Sequence, residues 1–169
     1  QKAQTVKAFL VDVFRSSNPR SMQYKGKDLT ARELLVNGEN TIGRKLKSQP
    51  DVYTEIVLAI GDAFTNIDEF EKAENSYQKA LTQIPNTADP VENKIRTYVK
   101  LGNLKCIWTK DSTAFVPARK AQKLLHAIDN PEPQLAASVA GLMGRVNVLT
   151  EDYDKANNYY QRADSIYTQ

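Results

Sequence analysis

Cysteine and histidine occur once each in this 169-residue chain, as Cys106 and His126. A single thiol excludes an internal disulfide, and one thiol with one imidazole leaves no ligand cluster for a structural zinc. Long apolar runs are missing too. No stretch approaches the ~18 consecutive apolar residues of a membrane span, and the N-terminus lacks the charged, apolar and cleavage-site pattern of a secretory leader. No part of this chain is therefore expected to enter a bilayer by itself. Net charge is small, +3, but it is banded. Residues 1–50 carry 10 basic and 4 acidic side chains, 51–90 carry 2 and 8, 91–130 carry 8 and 3, and 131–169 carry 3 and 5, giving bands of +6, −6, +5 and −2. Nucleic-acid binding calls for a concentrated basic face with aromatic or groove-reading elements, which this alternation does not supply, so nucleic acid is not an expected partner.

What the chain does have is 41% hydrophobic residues, enough for a core in one compact domain or a short repeat array. It also has an internal echo: FEKAENSYQKA at 70–80 returns 83 residues later as YDKANNYYQRA at 153–163. In the first copy Ala73, Tyr77 and Ala80 stand at i, i+4 and i+7, one face of a helix, and Ala156, Tyr160 and Ala163 repeat the spacing. Upstream, TEIVLAIGDAF places Val57, Ile60, Gly61 and Phe64 on one face, and ASVAGLMGRVN places Ala140, Met143 and Gly144 at the same offsets. The repeating unit is thus a helix pair. Small residues let two antiparallel helices approach, and the tyrosine fills the gap beside them. Asp68 and Thr150 are the expected caps of the two second helices.

These residues resemble the tetratricopeptide repeat, a family with a signature of about 34 residues running W-x2-L-G-x2-Y, A-x3-F-x2-A, then P. A repeat starting at Thr54 puts Val57, Ile60, Gly61, Phe64, Ala73, Tyr77, Ala80 and Pro85 on the eight positions. A second copy from Ala137 is similar at Met143, Gly144, Ala156, Tyr160 and Ala163, but Asn147 stands where an aromatic is expected, as in a terminal, capping repeat. Residues 88–136 between them are one repeat plus about 15 extra. PVENKIRTYVKLGNL and PARKAQKLLHAI, with Pro117 at its start, read as helices, which leaves KCIWTKDSTAFV, around an insertion at 103–116, as a long connection. Trp108 and Phe115 in it are expected to fold back on the domain rather than to face a ligand.

In the N-terminal third, LTARELLVNGENTIGRKL sets Leu34, Leu35, Ile42 and Leu46 on one face behind a capping box of Thr30 and Glu33. TVKAFLVDVF before it is amphipathic, and RSSNPRSMQYKGKD is a polar loop. The pattern FLVDVF, Asn18-Pro19, LTARELL, Gly38, Ile42, Leu46 and QPDV, within residues 7–85, is similar to the segment joining the transmembrane helix to the repeats in bacterial membrane-anchored serine/threonine kinases and in related membrane-anchored transcriptional regulators. That resemblance implies a periplasmic or otherwise extracytoplasmic segment, held to the membrane only through an upstream anchor, with a cytoplasmic adaptor as the alternative. A chain beginning at Gln1 is expected to be part of something longer. No HRD, DFG or glycine-rich phosphate loop is present.

The expected architecture is therefore all-α: about eight helices in a right-handed solenoid of stacked antiparallel pairs, divided into 1–53, 54–87, 88–136 and 137–169. Catalytic, cofactor and metal residues are not expected. His126 at a helix C-terminus reads as a dipole partner, and Cys106 has no motif around it. The resemblance implies a groove lined by the first helix of each pair, with Leu58, Asp62, Thr65, Arg145 and Val148 as contacts for a protein or peptide. The lysine and asparagine that clamp an acidic peptide tail in one branch of the family are replaced here by Leu58 and Asp62, so such a tail is not the expected ligand. The expected function is a noncatalytic binding module, the sensor or scaffold arm of a bacterial signalling protein. The alternative is a homodimerisation module with Tyr159 and Tyr167 of the last helix at its interface.

Overall fold

The computed structural model describes residues 30–46 and 48–167. The expected helix TVKAFLVDVF and the polar loop after it lie outside the described residues. Among the described residues there are seven α-helices, two short 3-10 turns and no strand, so the chain is all-helical as expected. The helices are α1 (Ala31–Lys45), α2 (Pro50–Asn66), α3 (Phe70–Gln83), α4 (Pro90–Trp108), α5 (Phe115–Leu125), α6 (Pro133–Leu149) and α7 (Tyr153–Tyr167). They fall into two compact units, residues 1–88 with α1 to α3 and residues 89–169 with α4 to α7.

In the first unit α1 starts at the expected capping box: the Thr30 hydroxyl accepts the Glu33 N–H at 3.2 Å, and the Glu33 carboxylate accepts the Thr30 N–H at 2.9 Å. Pro50, which lacks an N–H, opens α2 where no donor is needed. A tight turn joins α2 to α3. The Phe64 carbonyl accepts the N–H groups of Ile67 and Glu69, and Asp68 takes a left-handed φ of 58°. Asp68 is thus a turn residue and not the cap expected of it; aspartate tolerates that conformation better than most side chains. Thr150 likewise ends α6, its hydroxyl donating to the Asn147 carbonyl at 3.2 Å, while Asp152 accepts the Lys155 N–H at the start of α7.

The core of this unit is Ile42, Val57, Phe64, Ala73, Tyr77, Ala80 and Ile84. Its tightest point is the crossing of α2 and α3, where a Cβ on Gly61 would stand 2.4 Å from the Tyr77 ring, so only glycine fits. On the other side of α3, the Ser76 hydroxyl donates to the Glu39 carboxylate of α1 at 2.7 Å, and Lys79 pairs with the same carboxylate at 2.8 Å.

In the second unit α4 pairs with α5 and α6 with α7, and α6 packs on both helices of the earlier pair. Ile95, Ala118, Ala121, Leu135, Leu142 and Val146 make its core. The long connection expected over KCIWTKDSTAFV is absent. Helix α4 runs on to Trp108 because Lys105–Trp108 contains no proline or glycine to break it and Cys106 turns into the core. Only Thr109–Ala114 link it to α5, which begins at Phe115 and not at Pro117. There Lys110 is left-handed (φ 52°), and the Asp111 carboxylate accepts the Thr109 hydroxyl and the Thr113 N–H, each at 2.9 Å. Phe115 packs against the core, and the half-buried Trp108 lies under Lys105, whose Nζ is 4.7 Å from the ring centre.

The echo reaches further than the helix pair. Adding 83 to Pro50, Asn66 and Phe70 gives Pro133, Leu149 and Tyr153, the bounds of α6 and the start of α7. Asp68 becomes Glu151, also left-handed at φ 59°. The Glu69–Lys72 ion pair becomes Asp152–Lys155. The Ser76–Glu39 bond becomes a bond from Gln122 to Tyr159, donated by the amide at 3.0 Å; both span 37 residues. Helix α1 therefore corresponds to α5, and KDLTA at 27–31 corresponds in sequence to KDSTA at 110–114.

Candidate functional site

The candidate contacts on α2 are already engaged. Leu58 is buried, 8% exposed, and acts as a core residue rather than a surface contact. Asp62 accepts the Tyr77 hydroxyl at 2.8 Å; the Thr65 hydroxyl lies 3.3 Å from the same oxygen and donates to the Gly61 carbonyl at 3.0 Å. Asp62 and Thr65 thus hold the repeat tyrosine in place. Burial, the largest influence, pushes the Tyr77 hydroxyl well above its ordinary pKa of 10.0; the Thr65 hydrogen bond opposes it, and the Asp62 carboxylate adds to it.

On α6 the same positions are Arg145 and Val148, and both are exposed, Val148 at 40%. Neither can accept a hydrogen bond, so the second repeat tyrosine, Tyr160, has no such clamp. It packs edge-on over Gly144, where a Cβ would stand 2.6 Å from the ring, yet remains 42% exposed against 2% for Tyr77. Asn147, in the place of an aromatic, is buried and turns its amide back to the Met143 carbonyl at 2.7 Å. That bond satisfies the polar group without adding packing area.

Of the two tyrosines expected at an interface on the last helix, Tyr159 and Tyr167, only Tyr159 has a described side chain. Tyr159 is half-buried against the core and bonded to Gln122, so it belongs to the fold of the second unit more than to a free face. Tyr153, 63% exposed, and Tyr160 are the aromatic groups that α7 offers to solvent. Tyr167 closes α7, and its side chain lies outside the described residues.

Among the described residues, Cys106 and His126 stand in separate surroundings. Burial raises the Cys106 thiol above its ordinary pKa, opposed by the charge of Arg145 and by a backbone hydrogen bond, and a raised pKa is the reverse of what a nucleophilic cysteine requires. His126 is exposed at the end of α5. Among the described residues no three His, Cys, Asp or Glu side chains cluster as a metal site, and no described helix is long and apolar enough to cross a membrane.

One feature that sequence reasoning missed is a small cleft of about 20 Å³, room for about one water, among α5, α6 and α7. Its polar lining is Gln122, His126, Tyr159 and Arg162, beside the nearly buried Val139 and Met143. The signal was present in the match of KDLTA to KDSTA, which aligns α1 with α5 and sets Tyr53 against Ala136. Neither the curated proteins nor the solved structures include a match to this chain. Residues 54–87, the segment that contains the α2–α3 crossing and its Gly61–Tyr77 contact, match the family model of the tetratricopeptide repeat.

Proposed function

We propose that this chain is a noncatalytic protein- or peptide-binding module that serves as the sensor or scaffold arm of a bacterial signalling protein. The match of residues 54–87 to a repeat whose members commonly bind other proteins carries this reading. It is supported by the exposed Arg145 and Val148, which lie side by side on the face of α6 that the repeat leaves for a partner. The likeness of residues 7–85 to the juxtamembrane segment of membrane-anchored kinases and regulators favours an extracytoplasmic arm. Binding would then bias how neighbouring copies of the parent protein associate.

Selection of a displayed random-peptide library on the full chain, followed by calorimetry of the selected peptide, tests the reading. Arg145→Glu and Val148→Asp should each weaken binding at least tenfold without lowering the thermal midpoint, because both side chains are exposed. Peptides that bind these variants as well as the parent chain would remove the α6 face from consideration.

A second reading has its own observation. Tyr153 and Tyr160 are large side chains on the open face of α7, the kind of surface through which a module pairs with a second copy of itself.

A further inference from the structure

The two units share a scaffold but differ in surface charge, and the difference is concentrated on α5. Pro117, Ala118, Ala121 and Leu125 bury one side of this helix, which fixes the other side toward solvent. The outer side carries Val116, Arg119, Lys120 and Lys123, at i, i+3, i+4 and i+7, all of them exposed. Residues 112–128 contain no aspartate or glutamate. Moving the four positions back by 83 gives Glu33, Val36, Asn37 and Asn40, which occupy the same face of α1 with one acid and no base. The three cations of α5 are therefore not a requirement of the fold.

These charges are positioned without being neutralised. Lys120 lies over the half-buried Tyr98, its Nζ 5.4 Å from the ring centre, and Arg119 lies over Phe115, its Cζ 5.4 Å from that ring. The strip continues onto α7, which the bond between Gln122 and Tyr159 ties to α5. There Arg162, with Lys155, Asn158 and Tyr159, lines a hollow of about 290 Å³ that is open to solvent. In the first unit the place of Arg162 is taken by Lys79, paired with Glu39, and Gln122 stands where that glutamate would be. Among the described residues no carboxylate pairs with Arg119, Lys120, Lys123 or Arg162.

Four unpaired cations spread over two helices complement a surface of many anions better than one carboxylate. A bound peptide would need a groove or a sheet edge. The strip has neither, since the cleft beside it has room for about one water. Lipid headgroups need no groove, because they move laterally to meet the cations, and the exposed Val116 can rest at the interface. We propose that this side of the second unit adsorbs to a bilayer of anionic phospholipids, with Arg119, Lys120, Lys123 and Arg162 against the phosphates and no helix entering the hydrocarbon. The surface is separate from the α6 face of Arg145 and Val148 and stands or falls without it.

Cosedimentation of the full chain with vesicles tests this, comparing neutral phosphatidylcholine with a mixture containing about one third phosphatidylglycerol at about 0.1 M salt. Partitioning to the anionic vesicles should be about tenfold stronger or more, and should collapse at about 0.5 M salt. A cation held at such a surface contributes about fivefold, so Lys120→Gln with Lys123→Gln should weaken partitioning on the order of 25-fold. The thermal midpoint should not fall, because both positions are exposed. Arg145→Gln, which removes a charge from another face, should weaken it about twofold at most. Equal uptake by neutral and anionic vesicles, no uptake by either, or undiminished uptake of the double variant would each overturn the proposal. Tighter binding to a DNA duplex or to polyglutamate than to the anionic vesicles would also overturn it, assigning the strip to nucleic acid or to an acidic protein.

Discussion

Tyr77 and Tyr160 occupy one position of the repeat and differ in what surrounds them. Tyr77 is enclosed and its hydroxyl is shared by Asp62 and Thr65, whereas Tyr160 is 42% exposed over a face where Arg145 and Val148 replace them. Removing a buried, bonded hydroxyl costs about 1 kcal/mol, so Tyr77→Phe should lower stability by that amount in denaturant melts, while Tyr160→Phe should be near neutral. The contrast extends to pH. Folding raises the Tyr77 hydroxyl above 10.0 and the Cys106 thiol above 9.0, so above these values the unfolded chain releases protons that the folded chain keeps. Their contribution to stability is intact below about pH 9 and is lost as pH climbs beyond it. Tyr77→Phe should flatten the part of the alkaline loss that begins near pH 10. The repeat positions themselves were legible from small and aromatic residues at helical spacing. The state of each was not, because spacing says that a tyrosine faces its partner helix and nothing about whether Asp62 or Arg145 waits there. Leu58, expected in the groove, lies nearly buried, because helical spacing assigns a face without saying how deep each side chain on it sits.

At the scale of elements, glycine at the two crossings sets how closely each helix pair packs. A Cβ on Gly61 meets a ring that is enclosed on all sides, and a Cβ on Gly144 meets a ring with solvent beside it. Gly61→Ala should therefore cost about 1 to 3 kcal/mol from overpacking, and Gly144→Ala distinctly less because Tyr160 can swing outward; thermal unfolding of the two variants compares them directly. Helix existence was readable from periodicity, and the capping box of Thr30 and Glu33 marked the start of α1. The end of α4 was not readable. Lys105–Trp108 looked like a connection because it follows a glycine and an asparagine, yet the apolar Cys106 continues the buried face and no breaker intervenes before Lys110. Residue type alone makes Asp68 and Thr150 candidates for caps, and the turn geometry gives each another place.

For the whole molecule, a correspondence at 83 residues relates α1, α2 and α3 to α5, α6 and α7 down to individual hydrogen bonds. The sequence displayed the helix pair plainly and hid the third helix, since α1 and α5 keep few identities beyond the threonine and alanine at their start. The function proposed for this architecture is recognition of another protein or peptide. The competing reading uses the tyrosines of α7 to join two copies. Sedimentation equilibrium of the full chain from micromolar to near-millimolar concentration separates them most directly. The account predicts a single 19.0 kDa species throughout; a reversible dimer that Tyr160→Asp dissociates would contradict it and make self-association the work of the module.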